Sequence, residues 1–186
     1  MAALKHIFLV GYMGCGKSTL GRKLSRRLGW RLVDTDSEVE RLEGASVSDI
    51  FRYEGEEIFR TREREVIEQL IQSPTPLVVA TGGGLPTWRD NIERLGEGGV
   101  TIYIRRSAQN IASRLSPYGR QKRPKLRGLN DEELVEFMER NMAERAPYYE
   151  QAQLTLEGEG FSDEALVEQI LNYIEQVYEQ PADRCL

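Results

Sequence analysis

Apolar positions along this chain follow two alternating rhythms. Unbroken apolar runs occur at 6–10 ("HIFLV"), in "PLVVATGGG" and at 100–105 ("VTIYIR"). Runs of this length, bounded by glycine, read as strands buried on both faces. "RLVDTD" reads as a second short strand running into a loop, and "AQLTLEG" as the last strand. Between the strands the spacing is helical. In "KSTLGRKLSRRL" (17–28), Leu20, Leu24 and Leu28 share one face. The segment 36–71 is predicted largely helical, in the pieces "DSEVERL", "SVSDIFRYEG" and "EEIFRTREREVIEQLIQ". Phe59, Val66, Ile67 and Leu70 form an apolar stripe along the third piece. A tight turn into the helix "PTWRDNIERL" precedes the strand at 100–105, and residues 107–115 read as a helix. "SPYGRQKRPKLRG" reads as a loop. "NDEELVEFMERNMAER" restarts a helix, with Asn130 and Glu133 spaced as a capping box. The closing helix, "SDEALVEQILNYIEQVY", is expected to turn Leu166, Ile170, Ile174 and Val177 inward. Residues 179–186 are expected to fray.

Strands alternating with helices imply βαβ units, hence an α/β fold with a central parallel sheet and helices on both faces. No internal repeat or linker breaks the pattern, so residues 1–186 are expected to form one domain. With 186 residues there is room for one substantial core. No apolar run is long enough to span a bilayer, and the first apolar run is too short for a secretory h-region, with "GYMG" no cleavage site. The expectation is therefore a cytoplasmic protein without membrane contact. Two cysteines, Cys15 and Cys185, make no disulfide framework, and one histidine, His6, makes neither a histidine metal cluster nor a Ser-His-Asp triad. A net charge of −5 argues against nucleic acid as the partner.

Against that acidic background, residues 11–18, "GYMGCGKS", satisfy G-x-x-x-x-G-K-[ST] between a predicted strand and a predicted helix. Glycines let backbone N–H groups turn inward around phosphate, and the helix N-terminus adds partial positive charge. Lys17 should reach the β/γ-phosphates and the Ser18 hydroxyl should hold Mg²⁺, with Gly14, Cys15, Gly16 and Thr19 completing the nucleotide site. Cys15 fills an unconstrained position, although alkylation of its thiol is expected to inactivate, with ATP protecting.

The second ligand must come from elsewhere. Asp34 and Asp36 in "VDTD" could face one site by strand alternation, one assisting Mg²⁺ and the other accepting a proton from a hydroxyl. Asp36 could equally cap the helix that follows. Glu63 interrupts the apolar stripe three residues after Arg60, so it could hold that guanidinium rigid for a ligand carboxylate, or the two could form a solvated pair. Gly82, Gly83 and Gly84 end a strand where α/β sheets bind ligands, or simply make a tight turn. Arg114, Arg120, Lys122, Arg123, Lys125 and Arg127 form a basic island without an acid. It could be a solvated loop, or a lid closing over a triphosphate and excluding water.

Taken in order, "GYMGCGKS", "DTD", "FRTRE", "TGGG", "KRP" and "ERAPYYEQA" resemble the shikimate kinase family over nearly the whole chain. The resemblance implies a P-loop NTPase fold of the nucleoside-monophosphate-kinase type, with a substrate-binding segment at about 36–72 and a mobile lid at about 115–128. It implies transfer of the ATP γ-phosphoryl group to the 3-hydroxyl of shikimate, with Mg²⁺. By motif position, Lys17 and Ser18 would hold phosphate and metal, with Asp34 supporting the metal. Asp36 would bind the substrate hydroxyls and act as the base. Arg60 and Arg145 would grip the substrate carboxylate, and the glycines 82–84 would line its site through Gly83. Arg123 would contact ATP phosphates during transfer and Arg114 would lie near the adenine. Lys125 stands where the family commonly has an apolar residue. A monomer binding only small molecules is expected. Another small-molecule kinase, such as a gluconate kinase, and a non-catalytic nucleotide-binding module are the rival readings; a substrate panel separates them.

Overall fold

The computed structural model describes residues 5–116, 119, 120, 123 and 126–178. Five parallel strands make one sheet, β1 (His6–Val10), β2 (Arg31–Asp34), β3 (Leu77–Ala80), β4 (Val100–Arg105) and β5 (Leu154–Glu157), in the order β2-β3-β1-β4-β5. β1 lies at the centre, and all five of its residues are buried. That explains an unbroken apolar run where a half-exposed strand would alternate. His6 fits because its Nε2 meets the Ile71 carbonyl at 3.3 Å.

Helices α1 (Lys17–Leu28), α2 (Thr35–Glu43), α3 (Val47–Tyr53), α4 (Glu56–Ile71), α5 (Asn91–Gly98), α6 (Ala108–Arg114) and α7 (Asp131–Tyr149) connect the strands, and α8 (Asp163–Tyr178) follows the last of them. The main core spans the sheet, and a smaller one of Val39, Ile50, Phe59 and Val66 sits among α2, α3 and α4. The register aligns Leu9 and Asp34 with Ala80. The loops after β1, β2 and β3 therefore leave the sheet at a common edge, which is where the phosphate loop, "DTD" and "TGGG" meet.

Four features differ from the sequence expectations. β2 runs straight into α2 without a loop, because Asp34 caps the helix: its Oδ1 accepts from the N–H groups of Asp36 (3.2 Å) and Ser37 (3.4 Å). Asp36 is thus not the cap but the second residue of the helix. α7 continues past Arg145 to Tyr149 with Pro147 in its last turn, where the missing N–H costs a single bond. Among the described residues of the predicted loop after α6, the N–H groups of Arg120, Arg123 and Leu126 make turn-type bonds to the carbonyls of Ser116, Arg120 and Arg123. Val177 is 49% exposed, whereas Leu166, Ile170 and Ile174 are buried. Pro117, Lys122, Pro124, Lys125 and the 179–186 tail lie outside the described residues. The capping box at Asn130 and Glu133 is present.

Close packing of β1 on β4 gives a steric prediction. Gly99 has an extended φ of 173°, which any residue accepts, yet a Cβ there would sit 2.2 Å from the His6 carbonyl oxygen. Gly99→Ala is expected to cost about 1–3 kcal/mol by overpacking, lowering Tm by roughly 2–10 °C. A calorimetric Tm equal to wild type would show that the strands can slide apart freely.

Candidate active site

The phosphate loop is shaped by glycine. Gly16, the N-cap of α1, has φ 109°, a left-handed conformation that lets the chain enter the helix with its N–H groups exposed. Lys17 is 8% exposed, and its Nζ donates to the carbonyls of Gly11 (2.7 Å) and Tyr12 (2.9 Å). These two carbonyls hold its side chain at the loop. Ser18 and Thr19 are exposed at the mouth of the helix. The Ser18 Oγ donates to Asp34 Oδ2 at 2.9 Å, so the two residues expected at a metal are neighbours. Cys15 departs from expectation: it is 1% exposed, with its Sγ packed beneath Gly11. Its thiol is shielded from alkylating reagents, and only its backbone belongs to the loop surface.

Each residue of "DTD" does a different job. Asp34 caps α2 and meets Ser18. Thr35, fully buried, accepts the Gly82 N–H on its Oγ1 at 2.8 Å, tying β2 to the glycine turn. Asp36 lines a cavity of about 930 Å³ together with Arg60, Glu63, the glycines 82–84, Arg123 and Arg145. Burial first, and the Asp34 charge second, push the Asp36 carboxyl up to about 6, against the pull of Lys17 and Arg60.

Arg60 is held as its spacing from Glu63 suggests. Its Nη1 pairs with Glu63 Oε2, its Nη2 pairs with Glu56 Oε1 at 3.1 Å, and its guanidinium lies 5.3 Å from the Phe59 ring centroid. The pair is not a solvated one, since Glu63 is fully buried. Burial raises the Glu63 carboxyl to about 7, outweighing the attraction of Arg60. Its Oε1 has no hydrogen-bond partner among the described residues. The glycines make room for these groups: a Cβ on Gly82 would meet Asp36 Oδ1 and Glu63 Oε1, and one on Gly84 would meet Arg60 Nη2. Gly83 packs against the backbone of Met13, so turn and phosphate loop touch.

Arg145, from α7, lies 5.6 Å from the Tyr12 ring centroid and reaches the same cavity. Tyr149, one turn further on, donates its hydroxyl to the Gly83 carbonyl and stacks on Tyr103. Burial raises its pKa, keeping it a proton donor. Tyr12, Thr35 and Tyr149 were not singled out in the sequence, although all three lie within quoted motifs. Arg123 donates to the Gly119 carbonyl and faces the cavity of Arg60, while Arg114 is exposed at the end of α6 and outside that cavity. Arg120 is tied to Asp131 at 2.6 Å.

A strand–phosphate loop–helix unit at the carboxyl end of a central parallel strand, beside a cavity with a carboxylate and two arginines, defines a P-loop kinase of the nucleoside-monophosphate-kinase type. A family model described as shikimate kinase matches residues 13–175. Shikimate kinase 1 of Yersinia pestis is 40% identical over 176 residues, covering 94% of this chain and 99% of that one. A crystal structure of shikimate kinase from Bacteroides thetaiotaomicron superposes with a TM-score of 0.83 at 32% identity, over 96% of this chain and 100% of the other. That of Acinetobacter baumannii, in complex with shikimate, gives 0.82 at 36% identity, over 93% and 94%. The chain belongs to the shikimate kinase family.

Proposed function

We propose that this chain transfers the γ-phosphoryl group of ATP to the 3-hydroxyl of shikimate, a step in aromatic amino acid biosynthesis, with the residues described above dividing the work. The supporting observation is that Asp36, Arg60 and Arg145 converge on one cavity whose wall includes Met13 of the phosphate loop. Arg60 and Arg145 hold the substrate carboxylate, and Gly83 offers its backbone. This orientation brings the hydroxyl to Asp36, which accepts its proton as the oxygen attacks the γ-phosphorus. The bond from that phosphorus to the β,γ-bridging oxygen breaks, and ADP leaves with the charge. Lys17, released from the Gly11 and Tyr12 carbonyls, and Arg123 neutralise the phosphates. Such a reaction asks for positioning and charge rather than covalent chemistry.

Ser18 and Asp34 present only oxygen donors at the loop mouth, a set suited to a hard cation bound mainly through nucleotide and water. They would hold Mg²⁺, which would draw off charge from the β- and γ-phosphate oxygens. Among the described residues no cluster of three or more His, Cys, Asp or Glu could hold a metal alone, in keeping with that division. Arg114 is assigned to the adenine side, and the segment about 115–128 to a closing lid. We further assign the protein to the cytoplasm as a monomer acting on small molecules; among the described residues no helix is long and apolar enough to cross a membrane.

ADP release from MgATP, with shikimate and gluconate in parallel, tests the reading. Stimulation by shikimate alone is the expected result; stimulation by gluconate alone would replace the substrate, and MgATP binding without turnover of either would point to a binding module. Arg60→Ala is expected to raise the shikimate KM by roughly 10- to 150-fold, the loss of a charge-assisted hydrogen bond of about 1.5–3 kcal/mol. A change confined to the ATP KM would reverse the assignment of the two sites.

A further inference from the structure

Arg106 is a buried cation with no part in the chemistry above. It follows β4 directly and is 6% exposed. Its Nε donates to the Cys15 carbonyl at 2.9 Å and its Nη1 to Asn110 Oδ1 at 3.2 Å. Both acceptors are neutral. Burial, and then the like charge of Arg114, weigh against its charged form, yet a guanidinium does not give up its proton in a protein. The structure therefore carries a buried positive charge beneath the phosphate loop, hydrogen-bonded to two neutral acceptors and attracted by the Asp163 and Glu159 carboxylates. Burying a charge in this way costs stability unless an anion compensates it.

Its contact with the loop has a direct geometric consequence. Within a planar trans peptide the carbonyl and the following N–H point in opposite directions. Pinning the Cys15 carbonyl on Arg106 therefore aims the Gly16 N–H away from Arg106, toward the side where the loop cradles phosphate. Gly16 has no Cβ to restrain this peptide, so an outside anchor is needed. The protein also leaves space for that anchor. A Cβ on Gly158 would lie 2.7 Å from Arg106 Nε and 2.9 Å from its Cζ. The Gly158 N–H bonds to the Arg105 carbonyl at 2.8 Å, fixing the end of β5 against the end of β4.

We infer that Arg106 is a positioning residue for polyphosphate binding: it orients the Cys15–Gly16 peptide of the phosphate loop, and its charge adds to the loop's attraction for the triphosphate of ATP. The inference rests on the kinase reading and deepens it. It concerns the β-phosphate and its neighbours, not the adenosine or the shikimate cavity.

The test compares Arg106→Gln, Arg106→Lys and Gly158→Ala with wild type, measuring inhibition constants of MgADP and AMP against ATP, together with the shikimate KM. Wild-type turnover of shikimate, measured alongside, keeps a failure here distinct from a failure of the kinase reading. In Arg106→Gln the MgADP constant is expected to rise about tenfold, equivalent to about 1.4 kcal/mol, with AMP and the shikimate KM within twofold. Arg106→Lys should recover part of the loss. Gly158→Ala, which displaces Arg106 without altering it, should reproduce the loss and carries the test if Arg106→Gln does not fold. An unchanged MgADP constant in both Arg106→Gln and Gly158→Ala would overturn the inference. So would equal losses for MgADP and AMP, or a parallel rise in the shikimate KM.

Discussion

Asp36→Asn is expected to lower turnover about 10³-fold, within the range of a lost general base, while making the ligand-free enzyme more stable above neutral pH. Both effects come from one cause. Burial and the neighbouring Asp34 hold the folded-state carboxyl at about 6, against an ordinary value of 3.8. The folded state therefore binds this proton more tightly than the unfolded chain does. The sign follows: wild type is penalised for ionising Asp36 above about pH 6, and the penalty fades as pH falls toward 3.8. At about 1.4 kcal/mol per pH unit, the penalty at pH 8 is on the order of 2–3 kcal/mol. Asn keeps the shape without the charge, so its Tm should exceed wild type at pH 8 and converge with it near pH 4. ATP binding should change little, because Lys17 and the loop amides are untouched. Undiminished turnover would remove Asp36 as the base. Equal Tm values at pH 8 would show that its carboxylate is better solvated than its burial implies.

How far such a site can be read from the sequence depends on the separation of its parts. The phosphate loop is legible because its chemistry lies within eight residues, between a strand and a helix. Arg60 and Glu63 are legible because helical geometry brings positions three apart together, and the apolar stripe around Glu63 announces its burial. "DTD" was legible only in part. Strand alternation suggested that Asp34 and Asp36 share a side, but the chain turns helical at Thr35, and the cap falls on Asp34. The strand order was not legible either, since alternating strands and helices fit several parallel sheets. Hidden altogether were contacts that only the fold creates. Thr35 to Gly82, Tyr149 to Gly83 and Arg106 to Cys15 join residues 47, 66 and 91 positions apart. No local pattern marks such a tyrosine or arginine: Arg106 stands between Arg105 and Ser107 like any surface cation.

Gly82→Ala should lower kcat by about 10²-fold or more, the scale expected for a misplacement near 1 Å at a reacting centre. A Cβ at this position would lie 2.4 Å from Asp36 Oδ1 and 2.6 Å from Glu63 Oε1. Gly82 does not lie in the left-handed region, so alanine suits its backbone and the whole effect is contact with two carboxylates. Neither can yield cheaply: Glu63 is paired to Arg60 inside the protein, and Asp36 sits on the first turn of a helix capped by Asp34. The turn cannot yield easily either, because the Gly82 N–H is bonded to buried Thr35. The methyl group must therefore push Asp36 from the line of attack, while the ATP KM stays within about twofold. Gly84→Ala gives the contrast, because its Cβ would meet the Arg60 guanidinium at 2.4 Å instead. That variant should raise the shikimate KM more than it lowers kcat. Steady-state kinetics of the two alanines thus separate the group proposed to take the proton from the group proposed to hold the carboxylate. If Gly82→Ala retained wild-type kcat, Asp36 would have room to move without consequence, and its assignment as the base would fail with it.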